Sequence, residues 1–124
     1  MSKPDRMSWA SPYLQVNNVE QSLRFYNAAF GFDIGQTMRD DTRTIIHAEV
    51  FYKDSSIMMG AKDTKGHMGA CPVSMYLYCD DVDVAYAHAL KHGATSVEAP
   101  KDMFYGERRC SVKDIDGYQW YFAC

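Results

Sequence analysis

The sequence predicts an α+β domain made of two copies of one βαβββ unit, and three observations carry that prediction. The first is an internal repeat. Leu14-Gln15-Val16-Asn17-Asn18-Val19-Glu20 aligns with Leu77-Tyr78-Cys79-Asp80-Asp81-Val82-Asp83, 63 residues later (77 − 14). Val50-Phe51-Tyr52-Lys53-Asp54 aligns with Cys110-Ser111-Val112-Lys113-Asp114 at a spacing of 60 (110 − 50). The second is that both copies of the first motif read as strand, polar cap, then helix. The third is that the segments after each helix alternate as strands do. Duplication of one supersecondary unit accounts for a repeat of this size.

The elements follow in order. The first strand lies at Leu14–Val16. A helix starts beyond it, because Asn17 or Asn18 can accept the orphan backbone N–H groups there, and Glu20, three after Asn17, fits a capping box. Val19, Leu23, Tyr26 and Phe30 recur at helical spacing and form one apolar face. Gly31 ends the helix, since glycine tolerates the left-handed conformation. Strands are expected at Phe32–Met38, at the β-branched and aromatic run Thr44–Tyr52, and at Ile57–Met59 after a Lys53-Asp54-Ser55-Ser56 turn. The segment Ala61–Cys71 links the halves. The second unit repeats the logic. A strand over Ser74–Cys79 leads to an Asp80 or Asp81 cap, with Asp83 placed at the positive end of the helix dipole. Val82, Tyr86 and Ala89 face inward with Leu90 beside them, and Gly93 stops the helix after Lys91 and His92. Strands near Ser96–Ala99, Arg108–Val112 and Gln119–Ala123 complete the unit, with Lys113–Gly117 as a turn.

A chain of 124 residues fits one domain, taken as 1–124 with units at about 11–60 and 72–124. Hydrophobic residues at 47% and charged residues at 23% suit a buried core with a soluble surface. The net charge of -3 and the lack of a Lys/Arg cluster argue against nucleic-acid or anionic-membrane partners. No apolar run nears the roughly 20 residues that span a bilayer, and Met1–Ala10 lacks a signal-peptide core, so a cytoplasmic location is expected. Cys71, Cys79, Cys110 and Cys124 match no zinc or redox spacing and are expected to be reduced.

This order of elements, with these residues, resembles the vicinal-oxygen-chelate superfamily, which includes glyoxalase I, bleomycin-binding proteins, fosfomycin-resistance enzymes and extradiol dioxygenases. The resemblance spans about Ser11 to Cys124. It is carried by Val19-Glu20 through Phe25-Tyr26, Phe30-Gly31, Asp80-Asp81-Val82-Asp83, Gly93-Ala94, Tyr105-Gly106-Glu107-Arg108, and Asp114-Ile115-Asp116-Gly117 before Trp120. His47-Ala48-Glu49 and Tyr105-Gly106-Glu107-Arg108 look most like glyoxalase-like and PhnB-like members. Ile115 departs from the pattern, which usually has proline after the aspartate. The resemblance implies curled mixed sheets around a concave pocket and a homodimer. Metal-dependent members hold a divalent ion at four strand positions, which fall here on Ser11, Ser74, Tyr121 and a residue near Met58. None is His, Asp or Glu, the donors such sites need. The sequence therefore argues against the usual metal site, and no cofactor is expected.

Strand alternation assigns faces independently of any family. Leu14 and Val16 should face the helix layer, leaving Tyr13 and Gln15 on the other side. Met75, Leu77 and Cys79 go to the helix side, and Ser74, Tyr76 and Tyr78 to the other. Trp120 and Phe122 pack inward, opposite Gln119 and Tyr121. The aromatic, polar-tipped face suits a flat organic ligand, although tyrosine also favours strands for ordinary packing. His47 and Glu49 share a strand face with Phe51. They are candidates for metal binding or acid–base work, or else a paired couple on a sheet surface. Arg108 could anchor an anionic or carbonyl-bearing ligand, or pair with Glu107, Glu98 or Asp102. His88 and His92 stand one helical turn apart but lack the adjacent Glu of a zinc motif and read as solvated. His67 lies in the linker.

The candidate ligand-binding set is thus Tyr13, Gln15, His47, Glu49, Ser74, Tyr76, Tyr78, Arg108 and Tyr121. The leading expectation is a small-molecule-binding protein that sequesters an aromatic or antibiotic-like compound. A second is a lyase, isomerase or dioxygenase-like enzyme, metal-free or with a shifted metal site around His47 and Glu49. A third is a structural dimer module with a vestigial pocket.

Overall fold

In the computed structural model, residues 3–61 and 73–124 are described. The elements are β1 (Tyr13–Val16), α1 (Val19–Phe30), β2 (Asp33–Arg39), β3 (Ile45–Tyr52), β4 (Ser55–Ala61), β5 (Ser74–Tyr78), α2 (Val82–Lys91), β6 (Thr95–Asp102), β7 (Arg108–Lys113) and β8 (Gln119–Ala123). The described strands form two four-stranded mixed sheets of identical topology, ordered β1-β4-β3-β2 and β5-β8-β7-β6. In each, the first strand pairs in parallel with the last, and the other pairings are antiparallel. This is the α+β architecture expected from the repeat. Two units are distinguished: Met1–Asn27 with Gly31–Gly69, and Ala28–Phe30 with Ala70–Cys124.

In the first unit, Leu14, Val16, Ala48, Val50, Ile57 and Met59 are all buried, on one face of their sheet. Their partners across the strands share that face, as the period of two requires: Leu14 faces Met59, and Met59 faces Ala48. Val19, Leu23 and Tyr26 on α1 are buried as the 3.6-residue spacing demands. Asn18 caps α1 by accepting the Gln21 backbone N–H at 2.9 Å. Glu20 is therefore not part of a capping box. It lies one residue short of the position that would reach back to the cap, and it binds Arg24 at 2.7 Å along the helix instead. Gly31 closes the helix at φ 71, as expected.

The second unit repeats this plan. Asp81 caps α2 through the Val84 N–H at 3.1 Å. Val82 and Ala89 are the buried residues of that helix, while Tyr86 is only partly covered and donates to Ser96 Oγ at 2.8 Å. Phe30 belongs to this unit, its ring 5.2 Å from that of Trp120 and 5.3 Å from that of Phe122. β6 runs further than expected, through Pro100 to Asp102. An edge strand tolerates a residue without an N–H, and the pairing register shifts between Glu98 and Lys101, around that proline.

The hairpins differ. In the first unit Lys53 and Asp54 alone make the turn, with Lys53 at φ 54, and Ser55 already pairs with Tyr52. In the second, the loop runs from Asp114 to Tyr118, and the buried Asp114 organises it. Asp114 accepts from the backbone N–H groups of Asp116 at 2.9 Å and Tyr118 at 3.0 Å, and from the Trp120 indole at 2.8 Å. The pairings Val50–Ile57 and Val112–Trp120 make Val112 the counterpart of Val50. That equivalence is 62 residues (112 − 50), two more than the turn-based alignment suggested. An even shift leaves every side chain on its assigned face.

No described helix is long and apolar enough to cross a membrane. Cys71, His67 and most of the linker Ala61–Cys71 lie outside the described residues.

Candidate functional site

Each sheet carries its candidate residues, Arg108 excepted, on the face opposite its buried apolar one. In the first unit two rows run across that face. Tyr13 pairs with Met58 and Met58 with Glu49, while Gln15 pairs with Gly60 and Gly60 with His47. Tyr13 therefore stands diagonally from His47, across β4. Its ring leans over Gly60 and brings Oη to 3.3 Å from His47 Nδ1, with the ring centroids 5.7 Å apart. Glycine is what permits this, because a Cβ at position 60 would collide with the Tyr13 hydroxyl. On its other side His47 Nε2 lies 3.8 Å from Glu49 Oε2. In the tautomer protonated at Nε2, that proton points toward the carboxylate and Nδ1 is the acceptor for the phenol. The His47 and Glu49 side chains are only 16% and 17% exposed, whereas Tyr13 is 55% exposed. An open phenol is thus backed by a sheltered imidazole–carboxylate couple.

The far end of this face is covered by the N-terminal segment. The Arg6 guanidinium sits 3.9 Å over the Phe51 ring and binds Asp33 at 3.2 Å. Ser8 and Ser11 both bond the Ser56 side chain. Ser11, a position the family resemblance singled out, is therefore spent on local structure.

In the second unit Tyr76 pairs with Tyr121, and Tyr121 with Ser111. Tyr78 pairs with Ala123, and Ala123 with Arg109. The Tyr76 and Tyr121 rings stack at 5.4 Å, and the Arg109 guanidinium lies 4.8 Å from the Tyr121 centroid. Tyr121 is thus flanked by a phenol ring and a guanidinium. Tyr78 meets Tyr76 edge-on at 5.6 Å and is 60% exposed, so it presents the most open ring of the three. Glu107 joins the two outer phenols, accepting from Tyr76 at 2.7 Å and from Tyr78 at 3.0 Å. Burial, then the bond to Glu107, raises the Tyr76 phenol well above its ordinary range. The bond to Glu107 raises Tyr78 likewise. Arg109 also donates to Glu98 at 3.2 Å and Tyr105 at 3.3 Å. Burial pulls the Arg109 guanidinium down, but the Glu98 bond together with the charges of Tyr105, Glu98 and Tyr121 outweighs it, and the net direction is up. Gln119 donates to Tyr121 Oη at 3.1 Å and to Ser111 at 2.8 Å. Ser74, paired with Gln119, is exposed beside this cluster.

Arg108 is not brought to this group. Its parity on β7 matches Cys110 and Val112, so it lies on the opposite face, bonded to Asp83 at 2.8 and 2.9 Å and to Asp102 at 3.1 Å. Of the two readings open for it in the sequence, pairing is what the geometry displays. The guanidinium on the tyrosine face is Arg109, and strand alternation from Tyr121 through its partner Ser111 could have singled it out. Glu107 and Gly60 carried no such signal, because their roles depend on side chains 29 or more residues away. His88 donates from Nε2 to the Ala28 carbonyl at 2.8 Å, with the His92 ring 4.5 Å away. Burial pushes the Cys110 thiol up to about 11, so it remains a thiol at neutral pH. A hollow of about 450 Å³ opens at the start of α1 beside Arg24, Arg43 and Ile45, and none of the candidate ligand-binding residues lines it.

The residues present do not fit the divalent ion that the superfamily resemblance implies. Ser11, Ser74, Met58 and Tyr121 offer hydroxyl, thioether and phenol groups, not the imidazole and carboxylate donors such sites need. His47 and Glu49 supply two donors, and among the described residues no group of three or more His, Cys, Asp or Glu is placed to hold a metal.

Comparison with known proteins agrees with the fold. The family model described as the Glyoxalase/Bleomycin resistance protein/Dioxygenase superfamily matches residues 6–122. Uncharacterized proteins of Mycobacterium bovis and Mycobacterium tuberculosis are 31% identical over 120 residues, which is 89% of this chain and 78% and 70% of theirs. Among solved structures, TioX from Micromonospora sp. ML1 superposes with TM-score 0.76 at 20% identity, covering 94% of each chain. A glyoxalase/bleomycin resistance protein from Streptomyces sp. CB03234 gives 0.72 at 23%, covering 94% of this chain and 100% of that one. A PhnB protein from Bacillus cereus gives 0.73 at 14%, covering 93% and 98%. At these identities the structural likeness concerns the fold alone.

Proposed function

We propose a function from one premise: this chain belongs to the Glyoxalase/Bleomycin resistance protein/Dioxygenase superfamily. On that premise it is a cytoplasmic small-molecule-binding protein that takes up an aromatic or antibiotic-like compound as a homodimer, with neither nucleic acid nor membrane as partner. The observation that carries the reading is the cluster of Tyr76, Tyr78 and Tyr121 on one sheet face, with Arg109 and Glu107 among them. Tyr121 is already flanked on the sheet, so an incoming ring stacks on Tyr78, the open member, gaining contact area at low entropic cost. The polar tips then orient it. Large exposed apolar side chains at Trp9 and Phe104 favour association with a second copy.

Native mass spectrometry of the full chain, with and without added bleomycin, tests both parts. A dimer that holds the drug, and a Tyr78→Ala variant that melts normally but binds at least about tenfold more weakly, support the reading; the fold-change corresponds to roughly 1.4 kcal/mol. Equal binding by the variant removes the tyrosine face from the account. Absence of drug binding overturns sequestration of that compound, and a monomer at all concentrations overturns the dimer.

A further inference from the structure

The exposed phenol of Tyr13 and the sheltered couple behind it have no part in the binding reading above. Tyr13 Oη, His47 and Glu49 form a chain: phenol to Nδ1 at 3.3 Å, then Nε2 to carboxylate at 3.8 Å. These spacings are looser than a working hydrogen-bond relay, as is common in sites without substrate. The arrangement is built rather than incidental. Tyr13 reaches His47 from two strands away only because position 60 has no side chain. The couple is mostly covered, while the phenol is more than half open.

We propose that Tyr13, His47 and Glu49 form a metal-free proton relay, with Tyr13 as the catalytic residue that meets an enolisable carbonyl compound. The proton on the carbon beside the substrate carbonyl passes to Tyr13 Oη as the phenol's own proton passes to His47 Nδ1. The products of that step are an enolate and an imidazolium held beside the Glu49 carboxylate. The reverse hand-off returns a proton to carbon or to oxygen, so the net reaction is exchange or keto–enol isomerisation. The C–H electron pair becomes the C=C bond as the carbonyl π pair moves to oxygen, no other σ bond is broken, and no oxidant or co-reactant is needed. Glu49 is the formally charged carboxylate in the two rows around Tyr13, which disfavours an anionic substrate there. His47 acts through Tyr13 and is a positioning and proton-accepting group behind it.

The test uses 2-tetralone, a neutral aromatic ketone with acidic protons beside its carbonyl, in deuterated buffer, with proton exchange followed by NMR. The full chain should exchange these protons faster than buffer. Tyr13→Phe and His47→Gln should each lower the protein-dependent rate by about 10²-fold, within the usual range for general acid–base catalysis. Gly60→Ala keeps both groups but separates them, and should lower the rate comparably with the fold intact by circular dichroism. A second readout is free of any substrate. p-Toluenesulfonyl fluoride should sulfonylate Tyr13 in preference to Tyr78, with fluoride leaving from sulfur and the phenol proton passing to His47. That preference should vanish in His47→Gln. Wild-type exchange no faster than buffer overturns the assignment of an enolisable carbonyl substrate. Sulfonylation of Tyr13 that is indifferent to His47→Gln or Gly60→Ala overturns the relay itself.

Discussion

The two sheets share a topology but put opposite chemistry at one equivalent position. His47 on β3 faces Gly60, and Arg109 on β7 faces Ala123. In the first unit a phenol leans across the glycine to an imidazole that can take or give a proton. In the second, the counterpart phenol Tyr76 turns to a carboxylate, and the guanidinium, which does not titrate, lies against Tyr121. A duplicated topology thus supplies two faces of different side-chain chemistry, a phenol beside an imidazole on one and stacked phenols beside a guanidinium on the other. The difference teaches that topology sets where a side chain stands, while neighbouring residue size and reach decide what it touches.

The same contrast separates the hairpins, and there it should be largest. Asp114→Ala removes a buried acceptor of three hydrogen bonds, leaving the Trp120 indole and two backbone N–H groups without it. It should cost roughly 3 kcal/mol in urea unfolding. Asp54→Ala, in the exposed two-residue turn, should stay within about 0.5 kcal/mol. Equal costs would mean that the two hairpins are not stabilised differently. At the helix starts the units should instead agree. Asn18→Ala and Asp81→Ala each remove one cap bond of about 3 Å, and each should cost about 1 kcal/mol by the same measurement. A clear gap between them would show that the repeat is not energetically symmetric there.

The smallest effect belongs to Glu107→Gln, and its signature is a changed pH dependence in alkali. Tyr76 and Tyr78 are raised in the folded protein above the unfolded phenol value of about 10. Their contribution to stability is fully present below that unfolded value and is lost as pH rises through the folded values, because the native state then holds protons that the unfolded chain has released. Thermal melts should therefore fall more steeply above pH 10 in the wild type than in Glu107→Gln. Absorbance titration should show some phenols ionising earlier in the variant. Superimposed titration curves would detach the two tyrosines from Glu107.

Much of this was legible in the residues. Alternation put Leu14 and Val16 on the buried face and Tyr13, Gln15, Tyr76, Tyr78 and Tyr121 on the other, and burial follows that pattern. The repeat alignment was two residues off in its second segment because it matched the turns, and the turns differ in length. The faces survived because the error was even. Arg108 was singled out where its neighbour Arg109 shares the tyrosine face. Glu20 was read as a capping partner because Asn17 and Asn18 are equally good caps by type, and only the backbone at Asn18 decides between them.

By itself the sequence determined the two-unit α+β plan, the helix ends and the side of the sheet each strand residue occupies. All of these follow from periods of 2 and 3.6 residues and from caps that act within one turn. Only the tertiary structure decided that Tyr13 reaches His47 over Gly60, that Glu107 joins Tyr76 to Tyr78, and that Asp114 holds Trp120. Such contacts depend on which strands lie side by side, on their register and on the room left between them, and no local rule along the chain contains that information.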